Sequence, residues 1–216
     1  MEIVAHRGCW YLEEEKNTKE ALIRAFEKRF GIETDIRDRN GQLVISHNIS
    51  NTSSILLEEI LQKYKEINSN VVLELNIKAD GIQEMLQEIM YKYGINNYFV
   101  FDMSIPEMVI SKAIGINFFT RNSDIEEQCV LYEDAEGVWL DSFYIENWLT
   151  PEIIQNHLNK GKKVSIISPE IHGFSNFSVW EMLKKYKFHK NNRVYLCTDL
   201  PIKAKEYFEN DKSNII

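Results

Sequence analysis

Cysteine is scarce in this sequence, and its placement excludes two kinds of protein. The three cysteines, Cys9, Cys129 and Cys197, lie far apart, and no two of them form a CxxC pair. An odd number of dispersed cysteines argues against a disulfide framework, and the lack of paired cysteines argues against a zinc site.

Long apolar runs and an excess of positive charge are also missing. No apolar run approaches the roughly 20 residues that a membrane helix needs, and the start, MEIVAHRG, lacks the pattern of a secretory signal. The net charge is −8. Because phosphate backbones are held by lysine and arginine, nucleic acid is not the expected partner. We expect a cytoplasmic protein with no membrane span.

With only four prolines and no low-complexity block, the chain shows no evident linker. Its 216 residues, 44% of them hydrophobic, are enough for a substantial core and predict one domain over residues 1–216. Strand-like and helix-like segments alternate within it, and Asn40-Gly41 is typical of a hairpin turn leading into 42–47. The predicted barrel strands are 2–6, 31–36, 71–77, 98–103, 116–120, 137–142, 163–168 and 193–198.

Each of these strands is followed by a segment with helical spacing of apolar residues. Eight strand–helix units predict a compact (β/α)8 TIM barrel without an inserted second domain, and an open doubly wound sheet is the alternative. The predicted helices are 17–30, 57–67, 81–93, 105–114, 123–135, 150–161, 178–187 and 201–209.

Polar side chains collect at the carboxyl ends of the predicted strands, where a parallel barrel carries its chemistry. A sheet core has no use for so many ionisable groups, so their placement predicts a functional site. They are His6, Arg7, Glu33, Asp35, His47, Asn76, Lys78, Asp102, Arg121, Asp141, Glu170, His172 and Asp199.

Glu33 and Asp35 are two residues apart on a strand, so both point toward the barrel axis. Two such carboxylates repel unless a cation lies between them, and oxygen ligands suit Mg²⁺ or Ca²⁺. Asn76 on the next barrel strand offers a third oxygen, Glu74 is an alternative ligand one pleat deeper, and Lys78 can meet a phosphate. Taken alone, the two acids are more typical of a solvated surface pair, or of acids paired with Arg37 or Arg39.

His6 and His47 each end a strand, and histidine exchanges protons near neutral pH. One of them can accept a proton from a nucleophile while the other gives one to a leaving oxygen. For either residue alone, a core histidine bonded to a backbone carbonyl is the competing interpretation.

In order along the chain, these motifs resemble those of the glycerophosphodiester phosphodiesterase family. The resemblance spans residues 3–201, and the later segments resemble a short bacterial branch of the family that is often found near surface-polysaccharide genes. The matching motifs are His6-Arg7-Gly8, Asn17-Thr18, Glu33-x-Asp35, His47, Asn76-x-Lys78 and Thr198-Asp199-Leu200-Pro201.

The resemblance implies a (β/α)8 barrel that hydrolyses a small glycerol- or polyol-type phosphodiester with two histidines and a divalent cation, Mg²⁺ or Ca²⁺. The roles that it implies are metal binding by Glu33, Asp35 and Asn76, acid–base catalysis by His6 and His47, and phosphate binding by Arg7 and Lys78.

Three positions depart from the family pattern. Lys16 stands where the family has an acid before Asn-Thr, Asn48 replaces the aspartate after the second histidine, and Asn76 replaces a third carboxylate. These departures leave open the alternative of a catalytically decayed phosphoester-binding protein of surface-polysaccharide metabolism.

Overall fold

Eight parallel strands form a closed barrel, as the sequence predicts. The structure, a computed structural model, describes residues 1–210. Its strands are β1 (Glu2–His6), β2 (Gly31–Arg39), β3 (Gln42–Ile45), β4 (Ile55–Leu56), β5 (Leu73–Ile77), β6 (Tyr98–Phe101), β7 (Phe119–Ser123), β8 (Gly137–Asp141), β9 (Lys163–Ile167) and β10 (Val194–Thr198).

The barrel wall runs through β1, β2, β5, β6, β7, β8, β9 and β10, and β10 pairs in parallel with β1 again. The contact between β6 and β7 is the narrowest, a single parallel bridge between Val100 and Phe118. There the amide of Val100 donates to the carbonyl of Asn117 at 3.0 Å. The closed wall confirms the barrel and excludes the open doubly wound sheet.

Short strands β3 and β4 form an antiparallel extension of β2 outside the barrel wall. Asn40 and Gly41 connect β2 to β3 with positive φ values of 51° and 75°, the conformation that a tight hairpin turn requires. The hairpin is confirmed, although β3 ends at Ile45 and His47 lies in the loop that follows.

Helices cover the outside of the barrel, and their buried faces pack on the strands. Within residues 1–210, none of them is long and apolar enough to cross a membrane. They are α1 (Lys19–Glu27), α2 (Leu57–Glu66), α3 (Gln83–Tyr93), α4 (Ile105–Ile114), α5 (Pro151–Asn159), α6 (Phe177–Lys185) and α7 (Pro201–Glu209).

The prediction of a helix over 123–135 is wrong. Ser123 ends β7, and the residues after it form turns and bends before β8 begins. The Ser123 hydroxyl accepts hydrogen bonds from the amides of Ile125 and Glu126 at 3.3 and 3.0 Å. The Asp124 carboxylate accepts from the backbone amides of residues 143–145. Such local side-chain bonds compete with a helix for the backbone groups.

The strand predicted over 116–120 begins three residues later, at Phe119. Gly115 ends α4 with a φ of 78°, and the amide of Ile116 still donates to the carbonyl of Ser111 at 2.9 Å. The helix end thus occupies the first predicted strand residues, and Arg121 comes to lie within β7 rather than after it.

Aromatic rings fill the inside of the barrel. The Phe99 and Phe119 rings stack with centroids 3.6 Å apart, and Phe101 stacks on Trp139 at 3.7 Å. Trp139 also lines a cavity at the carboxyl end of the strands. This aromatic layer is therefore the floor on which the candidate site lies.

Candidate active site

A cavity of about 320 Å³ opens at the carboxyl ends of the barrel strands. Two walls face each other across it. The near wall carries His6, Arg7, Lys16, Glu33, His47, Asn76 and Lys78, and the far wall carries Asp102, Arg121, Trp139, Asp141, Phe143, Ile167, Ile171 and His172.

His6 lies at the end of β1 and is held by a carboxylate from the far end of the chain. Its Nδ1 is 2.6 Å from Oδ1 of Asp199, and its Nε2 is 3.8 Å from Oε2 of Glu33. Burial lowers the pKa of His6, and the hydrogen bond with Asp199 opposes that shift. Asp199 also binds Nζ of Lys16 at 3.3 Å. The Nε2 side of the ring is therefore the one presented to the cavity.

The chain turns sharply after His6, and Gly8 makes the turn possible. Arg7 has a φ of 56° and Gly8 a φ of 94°. A Cβ atom on Gly8 would come within 2.7 Å of the backbone of Ala21 in α1, so a larger residue would push this helix away. The turn directs the guanidinium of Arg7 toward Asp35, whose Oδ2 lies 3.1 Å from Nε.

Glu33 and Asp35 point into the barrel from β2, as predicted, and are 2% and 0% exposed. Asp35 accepts a hydrogen bond from the amide of Asn17 at 2.8 Å and lies 3.4 Å from Nζ of Lys78. Burial and the neighbouring Asp35 carboxylate raise the pKa of Glu33 well above its usual range. A cation beside Glu33 would remove that penalty.

The two candidates for a third oxygen ligand lie at different depths on β5. Asn76 pairs with Asp35 across the strands and lines the cavity. Glu74 lies one pleat deeper, where it accepts a hydrogen bond from the hydroxyl of Ser165 at 2.9 Å. On β5 the cavity thus meets an amide rather than a carboxylate, and Nδ2 of this amide donates to Oδ2 of Asp102 at 3.1 Å. Over residues 1–210, no cluster of three or more His, Cys, Asp or Glu side chains is placed to hold a metal ion.

Four buried oxygens of β2 and β5 have no hydrogen-bond partner, and one of them, Oδ1 of Asp35, has only the Lys78 ammonium beside it at 3.4 Å. Buried polar atoms are nearly always hydrogen-bonded, so these acceptors together require an explanation. Hard divalent cations take such carboxylate and amide oxygens. The four atoms are Oε2 of Glu33, Oδ1 of Asp35, Oδ1 of Asn76 and, one pleat deeper, Oε2 of Glu74.

His47 lies at the mouth of the cavity and is exposed. Its Nδ1 is 3.1 Å from Oδ1 of Asn48. Together with Arg7 and Lys16, it also lines an open groove of about 560 Å³ on the outside of the barrel mouth. His47 therefore stands between the enclosed cavity and the open surface.

Three residues of the near region were not assigned a role from the sequence, although two of them lie in recognisable motifs. Asp199 is part of the Thr-Asp motif after β10, and Asn17 belongs to the Asn-Thr motif before α1. Lys16 lines the cavity with Arg7. Its position next to a motif was visible in the sequence, but its contact with Asp199, 183 residues away, was not.

Two of the polar residues predicted at the strand ends lie in the loop after β9, and the structure separates them. His172 lines the cavity and binds Asp141 at 2.7 Å. Glu170 instead accepts hydrogen bonds from the hydroxyls of Ser168 and Thr198, so it ties this loop to β10.

The fold is shared with solved phosphodiesterases. No family model matches the sequence, and no curated protein matches it either. A glycerophosphodiester phosphodiesterase from Parabacteroides distasonis superposes with a TM-score of 0.72 at 15% identity, over 96% of each chain. A phosphodiesterase from Oleispira antarctica, solved with its product sn-glycerol-3-phosphate, gives 0.70 at 15% identity, over 97% of each chain.

A second Parabacteroides distasonis enzyme, a glycerophosphoryl diester phosphodiesterase, gives a TM-score of 0.63 at 13% identity, over 96% of this chain and 86% of that one. These proteins carry the family name whose motifs the sequence resembles, so the resemblance and the barrel that it implies are confirmed. At such low identity, the likeness establishes the fold.

Proposed function

We propose that this protein is a phosphoric diester hydrolase that cleaves a small glycerol- or polyol-type phosphodiester in a divalent-cation-dependent reaction. One observation carries the proposal. Glu33 and Asn76, each with a buried oxygen that lacks a hydrogen-bond partner, line one cavity at the carboxyl ends of the barrel strands together with His6, His47, Arg7, Lys16 and Lys78. Asp35 lies behind Arg7 and Lys78 and contacts both. Solved enzymes that share the fold are named as phosphodiesterases of glycerophosphodiesters, which are substrates of this kind.

The proposed metal ligands are Glu33, Asp35 and Asn76. Their unpaired oxygens fit the group, because they offer two carboxylates and one neutral amide to a hard cation. When bound, Mg²⁺ or Ca²⁺ would neutralise charge on the phosphate oxygens. With a neutral third ligand, the site binds the cation more weakly than three carboxylates would.

His6 is the proposed general base. Asp199 holds Nδ1 and stabilises the imidazolium, so Nε2 is free to accept the proton of a substrate hydroxyl as its oxygen attacks phosphorus. The attack forms a cyclic phosphate and breaks the bond to the second alcohol. Water then opens the cyclic phosphate to give the monoester, and in this step the imidazolium of His6 returns its proton to the hydroxyl oxygen.

His47 is the proposed general acid. It lies where the cavity meets the open groove, so it can protonate the leaving alkoxide as the second alcohol departs toward solvent. In the second step, the neutral His47 accepts a proton from the attacking water, which restores its starting state.

Phosphate binding is proposed for Arg7 and Lys78, with Lys16 as a further contributor. Arg7 and Lys78 both contact Asp35 and both line the cavity. Asp35 therefore positions these two cations as well as serving as a metal ligand. A guanidinium and two ammonium groups on one wall suit a doubly esterified phosphate with a single negative charge.

The proposal is tested by turnover of glycerophosphodiesters with Mg²⁺ or Ca²⁺, before and after EDTA; bis(p-nitrophenyl) phosphate has no hydroxyl that could attack its phosphorus, so it is the control substrate that this route should not cleave. We expect activity that EDTA abolishes and added cation restores, while far-ultraviolet circular dichroism stays unchanged, because the barrel core forms without the ion. Activity that survives exhaustive chelation would refute the metal dependence. Turnover by the His6→Ala variant at the wild-type rate would refute the catalytic assignment.

Two further parts of the proposal rest on the sequence. The whole chain, residues 1–216, is proposed to be one catalytic domain, and the cytoplasmic location stays a prediction.

A further inference from the structure

The far wall of the cavity holds four ionisable residues that the proposed reaction does not use. Asp102 directly follows β6, Arg121 lies within β7, Asp141 ends β8, and His172 lies in the turn after β9. Asp141 is only 7% exposed. Burying such groups is costly, so a wall built from them requires a purpose beyond packing.

These residues form two ion pairs. Nη1 of Arg121 is 2.9 Å from Oδ1 of Asp102, and Arg121 also binds Glu126 through Nε. Oδ2 of Asp102 accepts a further hydrogen bond from Nδ2 of Asn76 at 3.1 Å, where the far wall meets the near wall. Nε2 of His172 is 2.7 Å from Oδ1 of Asp141. That hydrogen bond raises the pKa of His172 and favours its charged form.

An aromatic ring lies between the two pairs. The Phe143 centroid is 5.5 Å from Cζ of Arg121 and 5.1 Å from the ring of His172. Trp139 lines the cavity below them. The far wall thus alternates hydrogen-bonding edges with apolar faces.

Pairing decides which ligand chemistry fits this wall. A quaternary ammonium group would face carboxylates that already hold cations, and it would be repelled by Arg121 and His172. A second anionic group would have to compete with Asp102, Glu126 and Asp141 for the same two cations. Neither kind of charged ligand gains a net attraction here.

Neutral hydroxyl groups suit both halves of each pair. A carboxylate has about four lone-pair sites and a guanidinium has five N–H donors, so each pair keeps hydrogen-bonding capacity beyond its internal contact. A hydroxyl can donate to the carboxylate and accept from the cation at once. The C–H faces of a polyol or sugar ring can meanwhile pack on Phe143 and Trp139.

We propose that the Asp102–Arg121 and Asp141–His172 pairs form a subsite that binds the hydroxyl groups of the substrate alcohol. This inference rests on the proposed function, because it assumes that the phosphate lies against the near wall. The cavity, about 320 Å³, is at the low end of the roughly 300–1,000 Å³ of small-molecule sites. It accommodates one small polyol or one sugar ring with its phosphate, rather than an oligosaccharide or a lipid.

The test is calorimetric binding of four monoesters: glycerol phosphate, inositol phosphate, propyl phosphate, which has no hydroxyl on its chain, and choline phosphate. The wild type is expected to bind one of the two hydroxylated monoesters at least about tenfold more tightly than propyl or choline phosphate. Asp141→Asn, and separately the more exposed His172→Gln, should each reduce this preference by about tenfold. Asp134→Asn, in a surface pair with Lys112 at 2.9 Å, is the matched control and should keep the preference.

Tightest binding of choline phosphate, or an unchanged preference in both far-wall variants, would overturn the subsite. An equal loss for all four ligands would also overturn it, since that result indicates a structural role. If diesters are cleaved but the preference is absent, the subsite fails and the proposed function stands. If the preference is found but no diester is cleaved, the subsite stands and the proposed function fails.

Discussion

The two walls of the cavity use the same kinds of side chain but differ in how their polar atoms are paired. On the near wall, Glu33 and Asn76 each keep a buried oxygen without a hydrogen-bond partner. In the described part of the chain, residues 1–210, no buried polar atom of Asp141 or His172 on the far wall is left in that state. Unpaired oxygens require a cation, whereas paired groups can receive neutral hydroxyls. The comparison therefore assigns chemistry to the near wall and recognition to the far wall.

The largest expected effect comes from removing either histidine of the near wall. His6→Ala and His47→Ala should each lower kcat by about 10²–10⁴-fold, the usual contribution of a positioned acid or base. Steady-state kinetics on a glycerophosphodiester, with thermal unfolding to confirm folding, provides the measurement. His157→Ala is the matched control, because His157 lies on α5 and binds the hydroxyl of Tyr132 at 2.9 Å.

The same set of alanine variants, extended to His172, tests whether the catalytic groups lie on the near wall. If His172→Ala lowers kcat more than His6→Ala does, then the catalytic group lies on the far wall and the assignment of chemistry to the near wall is wrong.

A smaller effect is expected from Asp199→Asn, because Asp199 is a positioning residue that acts through His6. The loss in kcat should be about 10–100-fold, the range seen when an outer partner of a functional histidine is removed. Asp199 raises the pKa of His6 against the effect of burial. Without this carboxylate the pKa falls further, so the acidic limb of the kcat/KM profile should move to lower pH. A profile that keeps its acidic limb would show that Asp199 acts only in folding.

The smallest effect concerns stability. The pKa of Glu33 is raised above its unfolded value near 4.5, so the folded state holds a proton that the unfolded chain loses. The stability from that proton is complete below about pH 4.5 and is lost as the pH rises through the folded pKa. A bound cation favours the ionised form, so Ca²⁺ should raise Tm by about 2–4 °C more at about pH 8 than at about pH 5.

Differential scanning calorimetry with and without Ca²⁺ measures this difference. Glu33→Gln is the control, since it removes the titrating group and should make the Ca²⁺ effect small at both values. If Ca²⁺ raises the Tm of the wild type equally at the two pH values, the cation does not bind at Glu33.

The barrel and the residues of the near wall could be predicted from the sequence because both follow from local patterns. Alternation of strands and helices gave eight parallel strands, and their carboxyl ends meet at one mouth, which brings His6, Glu33 and Asn76 together. The helix expected over 123–135 could not be excluded in this way. Its apolar spacing is helical, but Ser123 and Asp124 take over the backbone groups.

Side-chain contacts between residues far apart in the sequence could not be predicted from local patterns. The contact between His6 and Asp199 joins residues 193 positions apart, and it depends on β1 pairing with β10. The pleat places Glu74 deeper than Asn76, but it does not show how deep the cavity reaches, and the cavity is lined by Asn76. The pairing of Asp141 with His172 depends on the short turn after β9.

The central claim, that the unpaired oxygens of the near wall hold a divalent cation, is tested most directly by calorimetric titration of Ca²⁺ and Mg²⁺ into the metal-free protein. We predict one site in the wild type, binding tighter by about tenfold or more in Asn76→Asp, which adds an anionic oxygen in a poorly screened cavity. Glu74→Gln should leave the affinity nearly unchanged, because Glu74 lies below the cavity and binds Ser165. Weaker binding in Glu74→Gln with no change in Asn76→Asp would place the ion at Glu74, and no binding of either cation to the wild type would contradict the claim.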